Sequence, residues 1–171
     1  MISEVMTKAL NKQINNELYS AYLYFAMSSY CEKEGYRGAA NWFYAQTLEE
    51  MAHAHRFYNY INSQGGHAVM QAIEQPPAEF DSYKALFEGA LEHEQFITKC
   101  INDLVDLARE QKDHATEIML QWFVTEQVEE EEHVGEILDQ LNMLADSKNG
   151  LFMVDRELGA RTFTPPAEEA D

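Results

Sequence analysis

A chain of 171 residues, 46% of them hydrophobic, has the length of one domain and enough apolar side chains for a sizeable core. Its formal net charge of −18 works against a nucleic-acid partner, whose phosphates it would repel. No stretch approaches the roughly 20 apolar residues of a membrane span, and MISEVMTKAL lacks the basic and apolar runs of a signal peptide, which points to the cytoplasm.

Apolar residues recur every three or four positions and sustained period-2 alternation is lacking, so an all-α chain is expected. The first helix should run from about Glu4 to Lys33, with the stripe Leu10, Ile14, Glu17, Ala21, Tyr24, Ser28, and stop before Gly35. A second, from about Gly38 to Ser63, carries Phe43, Thr47, Glu50, His53/Ala54, Phe57 and Ile61 and ends at Gly65-Gly66. The segment from Gly66 to Phe80, with Pro76-Pro77, has no helical pattern. Its length, extended to the order of 48 Å, matches helices of about 42 Å, so it should be a crossover that leaves the second and third helices parallel.

Asp81 or Ser82 should cap the third helix, whose stripe reads Tyr83, Phe87, Ala90, Glu94, Ile97, Ile101, Val105. The fourth, capped by Asp113, carries Trp122, Glu126, Glu130, His133, Ile137 and Leu141 and should end near Asn149-Gly150. A short fifth helix follows from about Leu151 to Leu158, closed by Gly159. The expected organisation is a four-helix bundle spanning 1–160 and a flexible acidic tail, 161–171. Cys31 and Cys100 are too few and too far apart for a disulfide framework or a zinc site and read as reduced helix thiols.

Each of the four long stripes is interrupted near its midpoint by acids: Glu17, Glu50 with His53, Glu94, and the 126–130 cluster. Burying carboxylates costs several kcal/mol each unless a cation balances them, and no Lys or Arg falls on those stripes nearby. Midpoints of near-equal helices meet at one level of a bundle, so the acids should converge on a metal. Glu50-x-x-His53 places a carboxylate and an imidazole on one face, a donor set suited to iron or manganese. Carboxylates can bridge two ions and favour the higher oxidation state, so a site holding two Fe(II) would oxidise them. In the fourth helix, Glu130-x-x-His133 and Gln127-x-x-Glu130 compete for the centre, being about 4.5 Å apart along the axis.

The segments NNELYSAYLYFAMS, LEEMAHAHRF, EHEQFIT, WFVTEQVEEEE and GLFMVDRELG together resemble the bacterial non-haem ferritins over nearly the full length. Ferritin-like di-iron bundles are known for glutamates and Glu-x-x-His pairs projecting inward. The resemblance implies one ferroxidase iron on Glu17, Glu50 and His53, and a second on Glu50, Glu94 and Glu130, with Glu50 bridging. It implies a third, more inward iron on Glu49, Glu126, Glu129 and Glu130. Gln127 becomes an oxygen-binding or hydrogen-bonding neighbour, and Tyr24 an electron donor or a satisfied core tyrosine. It also favours the Gln127/Glu130 register over His133. Met51 stands where haem-binding bacterioferritins have their axial methionine, but those carry Glu-x-x-His in place of Gln127-x-x-Glu130, so no obligatory haem is expected. The implied function is iron storage, with Fe(II) oxidised by O2 or H2O2 and kept as ferric mineral in a homo-oligomeric 24-subunit shell. The alternatives are a haem-containing bacterioferritin, or a rubrerythrin-like di-iron peroxidase, which usually adds a Cys-x-x-Cys domain that this sequence lacks.

Overall fold

The computed structural model describes residues 2–144 and 147–165, and the acidic stretch 166–171 of the expected tail lies outside the described residues. Among the described residues five helices make up the fold: α1 (Glu4–Glu34), α2 (Arg37–Ser63), α3 (Tyr83–Glu110), α4 (His114–Leu144) and α5 (Lys148–Leu158). Local chemistry sets most of their ends. Ser3 accepts a hydrogen bond from Met6 N at 3.1 Å, Ser82 from Ala85 N at 3.0 Å, and Asp113 from Thr116 N at 3.1 Å. α1 stops at Gly35, whose φ of 85° is left-handed, and Tyr36 N then reaches back to Cys31 O at 2.9 Å.

The start of α2 has no cap from its own sequence. Asp155, on α5, fills the role from 117 residues away: its carboxylate accepts from Gly38 N at 3.0 Å and Ala39 N at 2.9 Å. The same carboxylate accepts from the Tyr83 hydroxyl at 3.2 Å, at the head of α3. A negative charge at a helix N-terminus meets the positive end of the macrodipole. The approach depends on Gly38, because a Cβ there would stand 1.5 Å from Asp155 O.

α1 pairs with α2 and α3 with α4. The connection between the pairs can be followed along α1. It leaves α2 beside Asn11, which donates to His67 O at 2.9 Å and accepts from Val69 N at 2.7 Å. It arrives beside Tyr30, whose hydroxyl donates to Phe80 O at 2.7 Å, and Lys33, ion-paired with Glu79 at 3.0 Å. From Asn11 to Tyr30 is about 28 Å of helix. The strap therefore climbs the bundle, and α2 and α3 run parallel as the loop length predicts.

Three expectations need correcting. The fourth stripe is shifted: Phe123, Gln127 and Val134 are buried, whereas Trp122 and Glu126 are half-buried and His133 is exposed. On α2 the inward residue is likewise Gln46, not Thr47. Single-residue slips of this kind arise where polar residues sit on both candidate faces. α4 also ends earlier than Asn149-Gly150. Ser147 caps α5 by accepting from Gly150 N at 3.1 Å, and Gly150 is pressed on Leu144, where a Cβ would meet Cδ2 at 2.7 Å. That glycine allows a close approach inside the next helix and does not mark a stop.

The apolar core is split in two. One cluster holds Tyr24, Phe43, Phe87 and Leu86 with α5's Val154 and Leu158; the other holds Leu10, Ile14, Phe57, Ile97 and Phe123. A polar layer lies between them. Removing the shared cap tests how α5 serves the bundle: Asp155→Ala should lower stability by about 2 kcal/mol, with Asp155→Asn recovering part of it. Thermal and urea unfolding read that difference.

Candidate metal centre

The polar layer is built by one turn from each long helix. Glu17 on α1, Glu50 and His53 on α2, Glu94 on α3, and Gln127 and Glu130 on α4 are each no more than 3% exposed. The helical i, i+3 spacing puts His53 Nδ1 3.3 Å from Glu50 Oε2. Ligand atoms of Glu17, Glu50 and His53 all lie within 4.8 Å of one another, and so do those of His53, Glu126 and Glu130. His53 stands between the two groups, its Nε2 3.7 Å from Glu126 Oε1. The Trp122 ring meets His53 edge-on at 5.4 Å and holds the imidazole from outside.

Glu94 lies outside both groups, and its two oxygens are held by other residues. The Tyr24 hydroxyl donates to its Oε1, and Gln127 Nε2 donates to its Oε2 at 3.1 Å. Its charge is nevertheless felt by both Glu50 and Glu130. Glu17 Oε1 accepts from Gln13 Nε2 at 2.8 Å, while Glu17 Oε2 is buried with no donor among the described residues. Such an oxygen suits a cation, and carboxylates with one imidazole form a hard donor set.

The electrostatics report the same crowding. Burial raises Glu17, Glu50 and Glu94 above the ordinary carboxylate range, with neighbouring carboxylates adding to it at Glu50 and Glu94, and burial with the charge of Glu94 pushes Glu130 up to about 7. Burial alone would lower His53, but Glu50, Glu126 and Glu17 outweigh it and hold the imidazole well above its ordinary value. Tyr24, wholly buried beside Glu94, is raised well above 10 and keeps its proton. The layer retains protons where its carboxylates would otherwise repel one another.

Of the residues expected at a third, inward position, Glu130 is buried, Glu49 and Glu126 are half-buried, and Glu129 is exposed. With His133 exposed, α4 presents Gln127 and Glu130 to the centre in the register the resemblance favours. Three participants went unread in the sequence. Gln13 and Gln46 each lie one turn before a buried acid, and Gln46 Nε2 donates to Glu130 Oε2 at 2.8 Å. A polar residue four positions ahead of a buried glutamate on an apolar stripe was the available signal. The third is Arg161, whose Nη2 donates to Glu49 Oε2 at 2.5 Å. The stripes carry no basic residue near the acids, yet the fold brings one from beyond α5.

The Ferritin-like domain family matches residues 7–144. The chain belongs to the ferritin family. It is 42% identical over 163 residues to the bacterial non-heme ferritin of Staphylococcus aureus (strain USA300), covering 95% of this chain and 98% of that one. It is 43% identical over 159 residues to a probable bacterial non-heme ferritin-like protein of Haemophilus influenzae, covering 93% and 96%. Among solved structures, an open-pore ferritin of the archaeon Archaeoglobus fulgidus superposes with a TM-score of 0.94 at 44% identity, covering 95% of this chain and 100% of that one. A form of the A. fulgidus ferritin engineered to be closed gives 0.95 at 44% identity, with 96% and 100% covered.

The raised carboxyls fix the sign of this ferritin's pH dependence. Between about pH 4.5 and 7 the native state keeps a proton on Glu130 that the unfolded chain has released. Native protein thus binds more protons, and the stability of metal-free protein should fall as pH rises through that window. Unfolding at about pH 5.5 and 7.5 should show the fall, and Glu130→Gln should flatten it by an amount on the order of 1–3 kcal/mol.

Proposed function

We propose that this chain is an iron-storage ferritin that oxidises Fe(II) to Fe(III) at an intrasubunit centre and keeps the product as a ferric mineral. The observation that carries the reading is the convergence of Glu17, Glu50 and His53 within 4.8 Å in a buried layer, with Glu94 and Glu130 beside them. Membership of the ferritin family and the non-heme ferritins among its relatives support it.

Fe(II) is the substrate. One ion is taken by Glu17, Glu50 and His53, the other by Glu50, Glu94 and Glu130, with Glu50 shared. Each ion gives up one electron, and a pair supplies the two that take O2 to the peroxide level or H2O2 to water. Carboxylate charge stabilises Fe(III) over Fe(II), which sets the direction. Gln127 holds Glu94 in place, and Tyr24 is close enough to the same carboxylate to serve as an electron donor. Glu49, Glu126, Glu129 and Glu130 provide a third, inward position, whose occupation would draw Glu129 in.

The shell reading has its own support. Tyr22, Phe25, Tyr44 and Met51 are each about half exposed on the outer side of α1 and α2, near Ile73 of the strap, at 38%. Several of them line a depression of about 330 Å³ with Leu18, Ala21 and Thr47. An apolar face of this kind is what a neighbouring subunit covers. The 24-subunit assembly is proposed on that ground and on family membership. Met51 belongs to this face, and the proposal involves no haem.

Anaerobic loading with Fe(II) followed by air, with ferric absorbance recorded, tests the chemistry. Wild type should oxidise about two or three Fe(II) per chain rapidly before slower mineral growth, and Glu50→Ala should lose the fast phase. Equal rates in the two would sink the proposal. Gln127→Leu should slow the fast phase about tenfold to a hundredfold, as expected when a ligand loses its outer partner.

A further inference from the structure

Beyond α5 the chain folds back onto the inner edge of the acidic layer. Asn41 Nδ2 donates to Arg161 O at 2.9 Å and pins the backbone, and the Arg161 guanidinium lies over the Trp42 ring at 4.5 Å. Its Nη2 donates to Glu49 Oε2 at 2.5 Å and to Gln46 Oε1, and Gln46 donates in turn to Glu130. The guanidinium therefore sits on one proposed ligand of the third iron position and, through Gln46, two hydrogen bonds from another. Its side chain is only 18% exposed, and Nη1 is buried with no partner among the described residues.

We infer that Arg161 is a resident cation that competes with iron for Glu49, so that filling the third position requires its guanidinium to leave. The inference rests on the ferroxidase reading above and deepens it. An oxygen that accepts a charge-assisted hydrogen bond at this distance does not offer the same lone pair to a metal. Arginine stays charged at any working pH, so it also repels an approaching Fe(II) while it remains. With no partner for Nη1 among the described residues, one donor of the seated guanidinium goes unused there, and such a group can be displaced. Because Asn41 holds the backbone, a displaced side chain stays tethered and returns when iron departs. Arg161 thus acts on occupancy of the inward position as a positioning residue.

Anaerobic calorimetric titration of the assembled protein with Fe(II) tests this, with the two tight binding events as an internal reference for the weaker third. Arg161→Gln should tighten the third event about tenfold or more, and Arg161→Lys, which keeps the charge, should leave it weak. Adding Glu49→Gln to Arg161→Gln should abolish the gain. Asn41→Ala, which unpins the segment without altering either carboxylate, should shift the third event the same way and carries the test if Arg161→Gln does not assemble. A third event no tighter in Arg161→Gln, or tightened equally by Gln and Lys, overturns the inference. Absence of the two tight events in wild type would instead bring down the ferroxidase reading, and this one with it.

Discussion

The constraint on which the rest depends is mutual repulsion among carboxylates held in one low-dielectric layer. Glu17, Glu50, Glu94 and Glu130 approach one another from four helices, with one imidazole among them. An unpaired buried charge costs several kcal/mol, about as much as burying two large apolar side chains returns. The two flanking clusters, with Phe43 and Phe87 on one side and Phe57 and Phe123 on the other, supply the cohesion that keeps this layer closed. Cohesion resides at the two ends of the bundle and the proposed chemistry at its waist.

Neutral polar side chains make that waist usable. Gln13, Gln46, Gln127 and Tyr24 each donate to one acid, fixing carboxylate orientation without adding a competing charge. Donors of this kind leave the remaining lone pairs pointing inward, and Glu17 Oε2 is the plainest instance. An arginine in any of those places would have satisfied the acid too well. Arg161 is placed where a charge does least harm, at the half-buried Glu49.

How far all this could be read from the sequence follows from what each feature depends on. The helices of the two hairpins and the rising strap are local properties of periodicity and loop length, and Leu10 to Ser28 or Tyr83 to Val105 needed nothing else. On α4 the acidic run 129–132 blurs the boundary between faces, so the centre of the stripe was misread by one residue there. Glu17, Glu50 and His53 stood out because acids on apolar stripes are costly. Gln46 did not, since a neutral amide at such a position carries a weaker signal. The cap on α2 and the cation at Glu49 depend on where α5 docks, which no local pattern encodes.

The long reach of Asp155 bears on the order of events during synthesis. The first turn of α2 is made early, but the carboxylate that satisfies it lies 117 residues further along. At about 5–20 residues per second, the turn waits on the order of ten seconds for its partner to be made. Once Tyr83 has been made, the heads of α2 and α3 still lack the group that ties them together until Asp155, 72 residues further on, is made. Arrival of α5 is therefore the closing step at that end of the bundle, and a nascent chain stalled before it would expose the Val154 and Leu158 seats to chaperones.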